Sequence, residues 1–582
     1  MSQPQLTFDL NRIQLLGNSV LKIFQNQPVG CTIALSVLTC LWYTFRHTLR
    51  SPAYPNIDGP PRKSFFSGHL FELFSPHNIA FHDHLQDTYG SVSKVYGEVG
   101  REDLYVSDPR FTHEVLVKSV DTVFRHPQYM YDINTAAFGL GLLSTAGDLH
   151  KGQRKMLNPV FTIKHMKSQR SFSGGLNDSL TPPYFSTQTA TFNMIAQNMK
   201  TAMVKDLGGA KHKEIDVLRW CSATALELIG QAGLGHTFGI YEGKDSEYIH
   251  AVKNFLPALA KVRPFRALFP LIYRIVPAPL QRKLAEWVPN PHIRALKKIV
   301  DIQDKQAQDI LTRKKEALKD KRTSEEMHDI MSVLLKANME ADEKDRLPED
   351  QLLGQMNTLI FAGHETTSGA LARILQLLAS NPGIQDRLRA ELEETPGTLS
   401  YDELNALPYL DALCRENLRL SPPAPVLERV ALKDWVVPLR YPLKGKDGNA
   451  ITEIKVRKGT RVYVGLREAN RCKETWGEDA DEFKPDRWLT DLPSSVTDAK
   501  TPGVYSSMMS FSAGPRACIG FKFSLLELKI VLSTLIKSFN FAPGTTEVTW
   551  LACGTMVPFP AGTKDYITEK KQPHMPLIVS VN

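Results

Sequence analysis

Residues 348–383, "PEDQLLGQMNTLIFAGHETTSGALARILQLLASNPG", restrict the fold more than any other part of the chain. Pro348 suits the start of a helix, acidic residues follow in the first turn, and the Asn-Pro-Gly sequence at 381–383 ends it. The pattern therefore predicts a helix of about thirty residues, which at about 1.5 Å per residue would cross an entire domain. We expect a mostly helical body around it.

The middle of this helix, "AGHETTSG", is unusual. Gly363 and Gly369 lie in a helix interior, where glycine costs about 1 kcal/mol relative to alanine, and three small hydroxyl residues stand between them. Either another part of the chain passes close to the helix here, or the helix opens locally. A zinc-protease motif would need a second histidine where Ser368 stands, so we predict no zinc site.

Composition excludes several classes of protein. The chain has 582 residues, of which 42% are hydrophobic, so it can bury a large core. The net charge of +8 is mild, and basic residues alternate with acidic ones, so nucleic acid is not an expected partner. The seven cysteines are odd in number and lack CxxC spacing, which argues against a disulfide framework and against structural zinc.

Residues 29–45 form an uncharged apolar stretch of about the minimum length for a membrane span. Trp42 and Tyr43 suit an interfacial aromatic belt, and basic residues are more frequent after the stretch than before it. We predict a transmembrane anchor at 29–45, with residues 1–28 lumenal and the body cytoplasmic. A cleaved signal peptide and a buried core helix are the alternatives.

The rest of the chain divides into a proline-rich linker at 46–63 and one catalytic domain at 64–582. The domain is interrupted at residues 168–189, which are rich in Ser, Thr, Gly and Pro and have no periodicity. This composition predicts a disordered insertion. The alternative is translated sequence that does not belong to the mature message.

Two further motifs carry polar chemistry. The loop "FSAGPRACIG" at 511–520 holds a single cysteine, Cys518, before a long apolar segment that predicts a helix. Upstream, Glu416 and Arg419 are three residues apart and share a helix face with apolar neighbours, which favours a partly buried pair. Arg487, in "FKPDRWL", is a candidate third member. The simplest alternative for Cys518 is a buried structural cysteine.

In combination these motifs resemble the cytochrome P450 family of haem-thiolate monooxygenases, over roughly residues 50–575. "AGHETT" is similar to the oxygen-activation helix of the family, and Glu416, Arg419 and Arg487 are similar to its structural triad. The cysteine loop matches the haem-binding signature at Phe511, Gly514, Arg516, Cys518 and Gly520. The resemblance implies a mainly α fold with smaller β-sheets, preceded by the N-terminal transmembrane helix.

The resemblance also implies roles. Cys518 would be the axial iron ligand of haem b, because a cysteine thiolate donates electron density that favours O–O cleavage. The loop glycines would let the backbone turn tightly and approach the porphyrin. The haem propionates would be met by Arg516, Arg429 and Arg154, and by His150, where many members have tryptophan. Thr366 would lie near the distal oxygen, with Glu365 as the acid of a proton relay.

The implied activity is insertion of one oxygen atom from O2 into a lipophilic substrate. Segments 129–144, 255–271 and 555–560 match the substrate pocket of the family, and the overall style resembles fungal microsomal members that act in secondary metabolism, such as terpenoid biosynthesis. Two alternatives remain. One is a haem-thiolate isomerase or dehydratase that does not use O2, and the other is a non-enzymatic haem sensor.

The sequence shows no dinucleotide or flavin fold. Electrons are therefore expected from NADPH through a separate membrane-bound cytochrome P450 reductase. Four lysines in segments that the family has on the cysteine side of the haem predict a basic docking face for it: Lys151, Lys155, Lys522 and Lys529. We expect a single-pass protein of the endoplasmic reticulum membrane, with its catalytic domain in the cytoplasm.

Overall fold

The structure, a computed structural model, describes Thr39 and residues 52–162, 188–242, 247–262, 269–320, 327–395, 397–564, 569 and 571–582. The predicted anchor at 29–45, apart from Thr39, and nearly all of the predicted insertion at 168–189 lie outside these residues. Within the described ranges, no helix combines the length and the apolar composition needed to cross a membrane.

Helices make up most of the body. They are α1 Leu70–Phe74, α2 Ile79–Tyr89, α3 Pro109–His113, α4 Gln128–Phe138, α5 Gly147–Leu157, α6 Gln188–Leu207, α7 Val217–Leu228, α8 Glu247–Val262, α9 Phe269–Ile275, α10 Ala278–Trp287, α11 Pro291–Ala317, α12 Ile330–Glu340, α13 Glu349–Ser380, α14 Pro382–Glu393, α15 Tyr401–Ala406, α16 Pro408–Leu420, α17 Leu466–Ala469, α18 Lys473–Trp476, α19 Ser494–Ala499 and α20 Phe521–Ser538.

The strands are short. They are β1 Val92–Tyr96, β2 Glu102–Val106, β3 Phe124–Arg125, β4 His212–Asp216, β5 Val426–Ala431, β6 Trp435–Lys444, β7 Ala450–Val456, β8 Arg461–Gly465, β9 Gly503–Tyr505, β10 Met508–Ala513, β11 Phe539–Pro543, β12 Val548–Ala552, β13 Met556–Pro560 and β14 Pro576–Val581. The largest sheet has the order β1-β2-β8-β5-β3, and the smaller sheets pair β11-β14-β4, β12-β13, β6-β7 and β9-β10.

The long helix is confirmed. α13 runs for 32 residues and ends where Asn381 precedes the proline, as the sequence predicts. The sequence left two explanations for the glycines of this helix, a close neighbour or a local opening, and the structure shows close neighbours. A Cβ on Gly363 would lie 3.0 Å from the Ile229 side chain, and one on Gly369 would lie 3.2 Å from the Met556 carbonyl oxygen. The helix is continuous through this region, so no local opening is required.

Two hydrophobic cores surround the cysteine loop. The larger core joins α13, α16, α20 and α6, and the second packs under the five-stranded sheet. β10 contributes to both cores, because alternate side chains of a strand point to opposite faces. Met508 belongs to the first core, while Met509 and Ala513 belong to the second. The strand that leads to Cys518 is therefore fixed from both sides.

Only the last two residues of the predicted insertion at 168–189 lie within the described residues. α6 begins at Gln188, and both Gln188 and Thr189 are buried in it. The last two residues of the segment at 168–189 therefore belong to a helix and not to a loop.

Candidate functional site

The cysteine loop turns sharply as it leaves β10. Gly514 has φ of +67°, and a Cβ there would lie 2.2 Å from the Leu116 carbonyl oxygen, so only glycine fits. The loop closes where the Cys518 N–H donates to the Phe511 carbonyl oxygen at 2.9 Å. Gly520 differs from the expectation of a glycine-dependent turn. It caps α20 with φ of −90°, a conformation that other residues also adopt.

Cys518 lines an internal space. Its side chain is exposed, although Ala517 beside it is buried. Even so, burial within the protein raises the pKa of the thiol. A side chain that is surrounded by protein and still exposed faces a space inside the fold. The Gly520 N–H and the Arg154 charge lower the pKa of the thiol and so favour the thiolate, but their effect is smaller than that of burial.

The middle of α13 also borders a space. Ala362 is exposed and Thr366 is half-buried, whereas the helix turns on either side are buried. The Thr366 hydroxyl donates to the Ala362 carbonyl oxygen at 2.8 Å. The next residue, Thr367, is buried, and α13 packs there against α20, the helix that follows Cys518. Thr366 therefore lies on a helix that packs against the helix directly after the cysteine loop.

Glu365 is held by a short polar chain that the sequence did not predict. The His364 Nδ1 lies 3.3 Å from a Glu365 carboxylate oxygen, and the Nε2 of the same ring lies 2.7 Å from the Ser222 hydroxyl. His364 is buried and Glu365 is 15% exposed in its side chain. The histidine therefore limits where the carboxylate can move.

A cluster of cationic groups lies near the cysteine loop. Arg429, on β5, is 1% exposed. Burial, and then the neighbouring Arg516, lower the pKa of Arg429 to about 10. His150 is also buried, and desolvation together with Arg516 and Arg154 lowers its pKa to about 4. The Arg516 charge thus lowers the pKa of both Arg429 and His150.

The cluster fits an anionic ligand. Arg516 approaches Asp121 at 3.4 Å, while Arg429 forms no ion pair among the described residues. Three buried donors have no hydrogen-bond partner within the described part of the chain: Arg429 Nε, Arg516 Nε and Tyr131 Oη. Buried donors are normally satisfied. Two carboxylates brought into this region would satisfy them, and the residues present therefore fit the propionates of a haem.

Among the described residues, Arg154 contacts the cysteine loop itself. Its Nη1 donates to the Ala517 carbonyl oxygen at 2.7 Å, directly before Cys518. It is half-buried, and burial lowers its pKa. Arg154 therefore braces the cysteine loop from α5, four residues after His150 on the same helix face.

His126 and Tyr131 were missed by the sequence analysis. The His126 Nδ1 accepts from Arg429 Nη1 at 3.1 Å, which agrees with a pKa that burial and Arg429 hold well below its usual range. The Arg516 guanidinium lies 5.7 Å from the Tyr131 ring centre. Tyr131 lies within the predicted substrate segment at 129–144 and His126 lies just before it, but a lone histidine and a tyrosine carry no motif.

The predicted triad meets in a buried network. Arg419 forms a double hydrogen bond to Glu416, at 2.9 and 2.8 Å, and both side chains are fully buried. Arg487 lies 3.6 Å from the same carboxylate and binds Asp479 more closely, at 3.1 Å. Arg419 also donates to the carbonyl oxygens of Asn470, Ala480 and Glu482. The pair therefore holds the chain that leads to the cysteine loop.

The predicted substrate segments converge on α13. Phe361 of this helix stacks on Phe138 with ring centres 4.6 Å apart, and Phe255 completes the group at 5.3 Å from Phe361. The third segment reaches the helix at Gly369 through Met556. The described parts of all three segments thus border the same helix with apolar side chains.

Of the four lysines that predict a docking face, Lys529 does not fit. It is 3% exposed and binds Asp411 and Asn405, each at 2.7 Å. The prediction is wrong for this residue, because α20 turns that face inward against α16. Lys151 and Lys155 are exposed and Lys522 is partly exposed.

Comparison with known proteins follows this geometry. A profile of the cytochrome P450 family matches residues 58–558. Cytochrome P450 monooxygenase 212 of Postia placenta is 41% identical over 561 residues, which cover 94% of this chain and 97% of that protein. A ganoderic acid synthetase of Ganoderma lucidum is 38% identical over 539 residues, which cover 90% of this chain and 94% of that protein.

A cysteine loop facing an internal space, with unneutralised cations beside it, defines a haem-thiolate protein. The chain belongs to the cytochrome P450 family of monooxygenases, whose members hold haem through a cysteine thiolate and use O2.

Proposed function

We propose that this chain inserts one oxygen atom from O2 into a lipophilic small molecule of fungal secondary metabolism, with Cys518 as the iron ligand. The observation that carries the proposal is the cation cluster of Arg429 and Arg516 beside the cysteine loop, whose buried Nε donors have no hydrogen-bond partner among the described residues. When bound, a haem supplies the oxygen activation that no protein side chain can perform.

The residues around the haem site have separate tasks in this proposal. Cys518 binds the iron as a thiolate, and the Gly520 N–H donates to its sulfur, which tunes the electron donation. Arg429, Arg516, His150 and Tyr131 bind the propionates. Arg154 holds the loop through the Ala517 carbonyl, and Phe511 closes it from behind.

Thr366 and Glu365 deliver protons in this proposal. The Thr366 hydroxyl borders the internal space, where it can hold a water molecule and pass a proton toward bound oxygen. Glu365 is only partly buried, so it can exchange protons with solvent, and His364 keeps it next to the threonine. This division of work agrees with the need for a positioned proton donor near the reacting atoms.

The substrate is proposed to be a terpenoid or a similarly apolar metabolite. The aromatic group of Phe138, Phe255 and Phe361 supports an apolar pocket. The name of the Ganoderma relative, a ganoderic acid synthetase, points to secondary metabolism as well.

Membrane attachment and electron supply are part of the same proposal. Residues 29–45 would anchor the protein in the endoplasmic reticulum membrane, with 1–28 lumenal, 46–63 as linker and 64–582 as the catalytic domain. Large apolar side chains are exposed on α9 and α10, among them Ile275 at 70% and Trp287 at 77%, and they would rest on the bilayer. A membrane-bound NADPH-cytochrome P450 reductase would supply electrons.

The first test is Cys518→Ser. The full-length variant should lose the red-shifted Soret band of the reduced carbon monoxide complex, because a hydroxyl is a much weaker electron donor than a thiolate. Cys472→Ser is the control, since that thiol donates to Glu474 at 3.1 Å and a serine can do the same. Retention of the band in Cys518→Ser would show that another residue binds the iron.

The second test uses purified protein, reductase and NADPH with a terpenoid panel. Mass spectrometry should detect product with one added oxygen. Thr366→Ala should keep haem but give much less product per NADPH, on the order of 10²-fold less, and Thr366→Ser should restore the yield. An unchanged ratio in Thr366→Ala would favour a reaction that does not use O2.

A further inference from the structure

A cavity of about 220 Å³ lies beside the C-terminal half of α13. Its walls come from α2, α13, the end of α16, α17 and the strands β12 and β13. Neither Cys518 nor any residue of the cation cluster lines it. The cavity therefore lies outside the cation cluster, and it meets the third predicted substrate segment at Met556.

Arg373 is one of the charged residues that line this cavity. Its Nη1 donates to the Gln376 side-chain oxygen at 2.7 Å, and its Nε donates to the Ser421 hydroxyl at 3.3 Å. Both acceptors are neutral, and Arg373 forms no ion pair with any residue that the structure describes. Burial, and then the charge of Arg467, lower the pKa of Arg373 to about 10.

The other charged residues in the cavity wall are already neutralised. Arg467 binds Asp83 and Glu468, and Arg471 binds Asp481. Only Arg373 therefore keeps an uncompensated charge among the described groups of the wall. A buried charge without a counter-ion is costly, because the protein replaces water poorly around it.

The remaining wall is apolar and rigid. The Trp550 ring centre lies 5.5 Å from the Arg373 guanidinium carbon, and the indole N–H donates to Gln376 at 2.8 Å, so the ring is fixed. Pro422, Pro423 and Met556 complete this surface. Such a wall suits the apolar body of a ligand and offers its polar end a single cation.

We propose that this cavity binds a carboxylate carried on an apolar body, with the Arg373 guanidinium as its counter-ion and Trp550 and the two prolines as the apolar wall. A planar guanidinium matches a carboxylate with two parallel hydrogen bonds. The volume admits a small organic acid or one end of a larger one.

Two sources could supply this carboxylate. Arg373 lies seven residues after Thr366, on the same face of α13 and about 10 Å further along its axis. The acid group could therefore belong to the molecule that is oxidised, which would be held by its far end. It could also belong to a separate small acid that binds beside the active site.

The test uses the full-length haem-loaded protein in detergent and benzoate as the probe. Isothermal titration should show benzoate binding at millimolar concentrations and no comparable binding of benzamide, which has the same shape without the charge. Arg373→Gln should weaken benzoate binding by about 10-fold or more, since hydrogen bonds to charged groups are the stronger kind. Arg373→Lys should restore part of it. Arg387→Gln, at an exposed arginine paired with Asp486, should leave it unchanged.

The Soret band identifies the source in the same titration. A Soret change that follows Arg373-dependent benzoate binding supports an acid site continuous with the substrate cavity. An unchanged band, with the same dependence on Arg373, supports a separate acid site. Equal binding of benzamide, or equal benzoate affinity in Arg373→Gln and the unmodified protein, would overturn the proposal, as would an absence of benzoate binding. None of these results depends on finding the oxidised substrate.

Discussion

Replacing Arg429 by methionine should weaken haem retention without weakening the haem-free fold. Burial lowers the pKa of Arg429 from 12.5 to about 10, so keeping it charged costs the haem-free protein about 3 kcal/mol at neutral pH, at about 1.4 kcal/mol per tenfold change in the ionisation equilibrium. Methionine removes this cost. It also removes two hydrogen bonds, to His126 and to the Glu428 carbonyl, worth about 1 kcal/mol each.

The two effects nearly cancel in the haem-free protein, and the free energy of unfolding should change by about 1 kcal/mol or less. The haem-bound protein gains nothing, because a propionate already neutralises the charge, and it loses a charge-assisted hydrogen bond of about 1.5 to 3 kcal/mol. Haem should therefore leave the variant at least about 10 times faster. The assay is haem transfer to apomyoglobin, followed by absorbance, together with thermal unfolding of haem-free protein.

Arg461→Met is the matched control. Arg461 lies on the neighbouring strand β8, is 17% exposed in its side chain, and is paired with Glu98 at 3.1 Å and Glu428 at 3.4 Å. Removing it takes a cation from the buried Glu428 carboxylate, which keeps the Tyr129 hydroxyl as a donor, and should destabilise the haem-free protein by about 1 to 3 kcal/mol. If Arg429→Met released haem at the unmodified rate, or destabilised the haem-free protein as much as Arg461→Met, the propionate assignment would be refuted.

Three further predictions concern single residues. Burial holds the pKa of Glu527 well above its usual range. The contribution of this residue to stability is therefore complete below the unfolded pKa of about 4.5 and is lost as pH rises through the folded pKa. Glu527→Gln should raise the melting temperature increasingly toward alkaline pH, and equal melting curves at every pH would contradict this. His364→Gln should keep haem but lower product per NADPH several-fold, because Glu365 loses its neighbour; an unaltered yield would remove the histidine from the relay. Gly514→Ala should lower both haem content and melting temperature. The control is Gly147→Ala, where φ is +58° and no atom lies within 4 Å of the new Cβ, so it should cost only about 1 kcal/mol of backbone strain. Similar losses in both variants would mean that the Gly514 contact can relax.

Local patterns predicted the elements that their own residues determine. The long helix ends at Ser380, just before the Asn-Pro-Gly stop, and α20 begins three residues after Cys518. The Glu416–Arg419 pair was predictable because three-residue spacing puts both side chains on one helix face. In each case the information lies within a few residues of the feature.

Features that depend on distant segments were not predictable. Lys529 appears on a helix with other basic residues, and only the packing of α20 against α16 turns it inward to Asp411. His126 gains a partner from β5, some three hundred residues later in the chain. Arg373 is unusual only because the cavity around it offers neutral acceptors, and no short sequence pattern reports a missing counter-ion.

The position of β10 between the two cores has a consequence for local opening. Proteins open in cooperative units, and segments with few buried contacts open most easily. β10 cannot separate from its neighbours without exposing Met508 to one side and Met509 to the other. The Cys518 N–H is bonded to the Phe511 carbonyl oxygen at the end of this strand, so exposing it to solvent requires a large free energy of opening. Its amide hydrogen should exchange only at the rate of global unfolding, which would make the loop that carries the thiol one of the last parts of the protein to fluctuate.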